Sequence, residues 1–232
     1  MTEFKIYFLL FITYSFIGWI IEIIDRFKVN KKIVNRGFLI GPYIPIYGSC
    51  AIVMVLLLHS VKSPTILFLS CILIASIGEY LTSYIMEKVF HARWWDYSDY
   101  KFNLNGRICL INCLGFGVLG FILIKYLNNF FYNIYSNFNI ITINILFYIL
   151  ITIFIIDLIV SFNVIFKIKN MSLKFVNPDN TNEITKKVRE LIKNNWLVKR
   201  LFMAFPNVKP IIKKGALTIK NTTKKLITRK SN

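Results

Sequence analysis

Apolar residues run along this chain in long blocks separated by short polar stretches, and that alternation sets the expected architecture. The blocks cover residues 4–24, 44–61, 65–86, 108–124 and 140–166. Each is near the roughly 20 residues that an α-helix needs to cross a hydrocarbon core of about 30 Å. Lipid offers no hydrogen bonds, so a single apolar block must satisfy its own backbone and does so as a helix. The pattern predicts an all-α fold, a polytopic membrane helix bundle of about five transmembrane helices within residues 1–166. Block one ends on Glu22, Asp25 and Arg26 with no small-residue cleavage site, so it is expected to remain as a signal anchor. The mouth of block two carries Pro42 and Pro45, which lack backbone donors and cannot belong to a regular helix throughout. Irregular backbone at membrane depth is tolerated only where protein or water covers it.

After Phe166 the pattern changes. Ile184, Val188, Leu191, Val198, Phe202 and Phe205 recur near the helical period, with cations on the other face, until Pro206. This predicts a basic amphipathic helix over residues 182–205, lying apolar face down on the membrane. Pro206 to Asn232 holds eight cations and no acid, a polybasic tail. The chain thus divides into a transmembrane domain, 1–166, and a basic cytoplasmic tail, 167–232. Anionic lipid is the expected partner of the tail. Nucleic acid is not expected, because no aromatic interleaving or RNA-binding motif accompanies the charge.

Composition sharpens this picture at one point, the sidedness. The chain of 232 residues is 56% hydrophobic and still carries a net charge of +18. Of its 29 cations, all but Lys5, Lys62 and Lys125 fall in the loop after block one, the loop after block three, or the tail. Basic segments stay in the cytoplasm, so the N-terminus is expected outside and the C-terminus inside.

Chemistry enters through charges that apolar surroundings make expensive. Glu79 comes about 21 Å along block three, within the core, and Ser83 and Glu87 continue its face at steps of four. An ionised carboxylate there needs a partner or a wet cavity. Glu22 stands one turn from the inner end of block one and could pair with Arg26. Asp157 lies about 13 Å from the end of block five, as a hydrogen-bonding group between helices or a functional site. Between blocks three and four come Glu87, Arg93, the pair Trp94 and Trp95, Asp96 and then Arg107. Cys109, Cys113, Gly117 and Gly120 form a ridge of small residues for close helix approach. The cysteines, Cys50 and Cys71 among them, read as buried packing residues. Neither His59 nor His91 has a metal-ligand spacing, so no metal, cofactor or catalytic set is assigned.

The two inner loops share a form. Glu22 is followed by Asn35-Arg36-Gly37, and Glu79 by Asn105-Gly106-Arg107, each triplet standing where the chain returns to the membrane. Arg36 and Arg107 cannot give up their protons, so burial obliges them to find anions or water. The simplest expectation pairs Glu22, Glu79 or Glu87 with an arginine across the two hairpins.

Longer strings carry a resemblance. They are Phe16-Ile17-Gly18-Trp19 with Glu22, Asn35 through Pro42, Pro45-Ile46-Tyr47-Gly48, Glu79-Tyr80, Met86-Glu87, Trp94 through Ser98, and Asn105-Gly106-Arg107-Ile108. Over roughly Tyr14 to Gly120 the chain resembles a bacterial membrane family labelled as type IV permeases of ABC transporters. The resemblance implies a multi-pass protein of the bacterial cell membrane and a permease subunit. Glu22, Arg36, Glu79, Glu87, Arg93, Asp96, Arg107 and Asp157 are the candidates for a substrate pathway or for coupling, although Asp157 and the tail lie outside the matching strings. No Gly-x-x-x-x-Gly-Lys-Ser/Thr string occurs, so an ATPase partner would be a separate polypeptide. Two other classes remain open. One is a membrane scaffold or regulator. The other is an intramembrane enzyme acting on a lipid-like substrate, against which stands the lack of any nucleophile-base pair or metal set.

Overall fold

Among the described residues, four helices are long and apolar enough to cross a membrane, and one further apolar helix is shorter. They belong to a computed structural model that describes residues 2–31, 35–90, 92–174, 196–204 and 209–210. In chain order the helices are α1 (Thr2–Asn30), α2 (Pro45–Leu58), α3 (Pro64–Phe90), α4 (Leu110–Ile122), α5 (Asn128–Ser136), α6 (Ile140–Lys174) and α7 (Trp196–Ala204). Two short antiparallel pairs accompany them: β1 (Ala92–Arg93) with β4 (Lys209–Pro210), and β2 (Asn103–Leu104) with β3 (Ile108–Cys109).

Helix α3 shows how the bundle is sorted. Leu67, Cys71, Ala75, Glu79 and Ser83 are buried and recur every fourth residue, while Ile66, Leu69, Leu73, Ile77, Leu81 and Ile85 stand exposed. An inward stripe of small and polar residues with an outward stripe of large aliphatic ones is what lipid selects, since lipid solvates leucine as well as a core does. The ridge on α4 is realised in the same way. Cys113, Gly117 and Gly120 are buried, and a Cβ at Gly120 would strike Cys71 of α3 and Met54 of α2. The cysteines are free thiols.

Block four extends further than its sequence boundary at 124. A π turn, Leu123–Leu127, joins α4 to α5, so that Leu110–Ser136 is one membrane-length helix with Lys125 inside it. Helix α2, by contrast, has 14 residues, on the order of 21 Å, which is less than a hydrocarbon core. The remaining depth of that passage is irregular chain. Ile44 N–H donates to the carbonyl of Ser15 at 3.0 Å, midway along α1. The stretch from Asn35 to Ile44 therefore descends beside α1 before α2 begins.

The described part of the predicted amphipathic helix is α7. Val198, Leu201 and Ala204 are buried, and Leu201 joins Phe90, Trp94 and Ile165 in an apolar cluster. Its apolar face thus packs on the bundle, where a membrane surface was expected. Residues 182–195 and 205–208, and the tail from 211 onward, lie outside the described residues.

Candidate functional site

Both loops, the descending stretch and α7 gather at one end of the bundle. Phe38 packs edge-on against Trp94, and Arg200 reaches the descending stretch. At this end Glu22, Glu79, Glu87 and Asp157 have each acquired their own donors.

Glu22 pairs with Arg36 and accepts a hydrogen bond from the Tyr47 hydroxyl at 2.8 Å. Arg36 also stands 3.9 Å from Asp25. Asn35 stiffens the turn that delivers it: its Oδ1 accepts from Trp19 Nε1 at 2.8 Å and from the Gly37 amide, and its amide nitrogen donates to the Ile40 carbonyl. In the second loop Glu87 takes two arginines, Arg107 at 2.9 Å and Arg93 at 3.1 Å. Arg93 lies 3.6 Å from Asp96. Arg107 is buried, donates to Ser83 Oγ and lies over the rings of Tyr80 and Tyr84. Gly106 makes this turn possible with φ +65°, a conformation that a side chain would strain; its carbonyl accepts from the Tyr97 amide. The ion pairs thus form within each hairpin. Pairing across the hairpins, the simpler expectation, fails because the return turns bring each arginine back to the helix that precedes it. Arg26 does not take Glu22 as its partner; among the described residues its Nε lacks a hydrogen bond.

Asp157 does not link helix to helix. Its two oxygens accept from the amides of Ile40 (2.8 Å) and Gly41 (2.7 Å), from the Tyr43 hydroxyl (2.6 Å) and from Ser161 (2.8 Å). These donors sit on the descending stretch, apart from Ser161 one turn along α6. From the other side, Arg200 of α7 donates to the carbonyls of Gly37 (3.1 Å) and Phe38 (3.0 Å). Asp157 binds the N–H groups of the irregular backbone, and Arg200 binds its C=O groups. Burial pushes the Arg200 guanidinium below its ordinary value, and nearby Asp157 opposes that. Arg200 had no signal in the sequence beyond being one cation among many in a basic helix.

Glu79 is different. It is 6% exposed, and its Oε1 accepts from the Tyr97 hydroxyl at 3.1 Å. Burial, and then the Glu79 carboxylate itself, push the Tyr97 phenol up, so Tyr97 remains a donor. Among the described residues Glu79 has no salt bridge, and its Oε2 has no hydrogen-bond partner. It lines a cavity of about 170 Å³ between α1, α2, α3 and α4.

The sequence model of one protein family, described as "Putative ABC-transporter type IV", matches residues 9–162. The chain belongs to that family. No curated protein and no solved structure matches the chain. The family match extends past the motif strings, which stop at Ile108, and past Gly120, and takes in Asp157 and most of α6. In this chain the loop strings and the fifth apolar block therefore form one unit, and the hydrogen bonds of Asp157 give the physical reason. Tyr47 and Tyr97, quoted only as parts of strings, turn out to be the hydroxyl donors to Glu22 and Glu79.

Proposed function

We propose that this multi-pass membrane protein is the permease subunit of a transporter whose ATP-hydrolysing subunit is a separate polypeptide. The observation that carries this reading is the pair of ion-paired hairpins, Glu22–Arg36 and Glu87–Arg107–Arg93–Asp96, held side by side at one end of the bundle. A coupling surface has to transmit force without deforming, and loops pinned by short charged contacts do so better than free ones. The family description points the same way. The positive-inside rule places this end in the cytoplasm, with the N-terminus of α1 outside. There an ATPase could reach it, and the eight cations from Pro206 onward could meet anionic lipid.

The test is co-purification from native membranes in mild detergent, with the chain tagged at its N-terminus. A stoichiometric ATPase is expected, and Arg93→Glu together with Asp96→Arg should weaken its capture while the chain still elutes as a single species. Recovery of the intact chain with no ATPase would favour the scaffold reading. The satisfied state of the hairpin charges gives that reading its own support, since paired charges can serve the bundle alone.

A further inference from the structure

Among the described residues, the carboxylates withdrawn from solvent at this end of the bundle have firm partners, and Glu79 departs from that pattern. Glu22 and Asp25 stand beside Arg36, Glu87 beside Arg107 and Arg93, and Asp96 beside Arg93. Asp157 has two backbone amides and two hydroxyls. Glu79 has a single phenol, and its second oxygen is buried without a partner among the described residues. That oxygen belongs to a side chain lining a cavity whose wall is otherwise almost wholly apolar.

The two other hydroxyls of the wall are already engaged, and Cys50 adds a thiol, a weak donor. The Tyr47 hydroxyl is given to Glu22 and the Tyr14 hydroxyl to Asn128. Two rings, Tyr47 and Phe116, meet edge to face at 5.9 Å in the same wall. Leu123 and Leu127 of the π turn line the same cavity. A π turn interrupts the regular helix ladder and recurs at functional sites. Here it supplies those two leucines to the wall.

The geometry points to a binding site for a small organic amine: an ammonium group on Glu79 Oε2, with an apolar body in the cavity. An empty apolar cavity of about 150 Å³ accepts benzene, so 170 Å³ suits a body of roughly six to ten heavy atoms. The cation would supply the charge that Glu79 lacks, and the aromatic faces of Tyr47 and Phe116 favour a cation further. A neutral alcohol could give Oε2 its hydrogen bond but would leave the charge uncompensated, and an anion would be repelled. This site is argued from its own walls and stands whether or not the chain transports.

The experiment uses the full chain in phosphatidylcholine nanodiscs, a bilayer without primary amines, with empty nanodiscs subtracted. Fluorine NMR follows para-fluorobenzylamine, with para-fluorobenzyl alcohol as its isostere and para-fluorotoluene as the apolar probe that lacks the polar group. The amine is expected to bind about tenfold or more tightly than the alcohol, because its donor carries a charge opposite to the carboxylate and the hydroxyl does not. Glu79→Gln should bring amine and alcohol together, and Ala51→Phe, which fills the cavity, should abolish both. If either variant fails to fold, the rank order on the native chain decides. Equal binding of the three probes, tightest binding of the toluene, or no binding at all would each overturn the assignment.

Discussion

Asp157 and Glu79 are both carboxylates far from either end of their helices, and their neighbours separate them. Asp157 accepts four hydrogen bonds, two of them from the backbone amides of Ile40 and Gly41. Removing it orphans those donors in a dry place, at about 1–3 kcal/mol for each. Asp157→Ala is therefore expected to lower the melting temperature of the purified protein sharply. Asp157→Asn, which keeps one acceptor oxygen, should lose less. A melt of Asp157→Ala that superimposes on the native one would show that water replaces the side chain and that the descending stretch does not depend on it. Arg200, which holds the carbonyls of the same stretch, was not legible beforehand. A cation in a basic helix looks like any other until its neighbours are known.

At the scale of elements, close approach is the controlling quantity. Helix α1 meets α2 where Gly48 sits against Ser15 and Phe11, and a Cβ at Gly48 would overlap the Phe11 backbone carbonyl and the Ser15 hydroxyl. A backbone carbonyl cannot swing aside as a side chain can, so Gly48→Ala should force α1 and α2 apart. It is expected to destabilise by about 1–3 kcal/mol, as overpacking of a core does. Gly115 on α4 is the internal control. Nothing lies within 4 Å of its added Cβ, so Gly115→Ala should be neutral or stabilising by about 0.5–1 kcal/mol from helix propensity alone. Thermal melts of the two variants in one detergent check the contrast. The ridge on α4 was readable in advance from spacing. The π turn was not, because Leu123 to Leu127 reads as ordinary helix and only the backbone hydrogen-bond pattern shows the extra residue.

Over the whole molecule, the distribution of cations makes a claim about sidedness that labelling can check. A cysteine placed at Tyr100, in the second hairpin, should be protected from an impermeant thiol reagent in intact cells, and one at Asn137, between α5 and α6, should react. A reporter fused after Asn232 should be cytoplasmic. Labelling at Tyr100 from outside would reverse the orientation and remove the cytoplasmic surface on which the permease proposal depends. By itself the sequence determined that the chain is an all-α membrane bundle, where its apolar blocks begin and which loops carry the charge. Those properties depend on the composition of contiguous stretches, which transfer free energies fix locally. Tertiary structure alone decided the partners. Glu87 rather than Glu79 took Arg107, Asp157 took the amides of Ile40 and Gly41 more than a hundred residues away, and α7 turned its apolar face to the bundle. Each choice follows from which groups the packed helices bring within about 3 Å, a distance that no periodicity along the chain encodes. Glu79 was left with a cavity for the same reason: the turn that returns Arg107 to the membrane delivers it two helical turns further along α3.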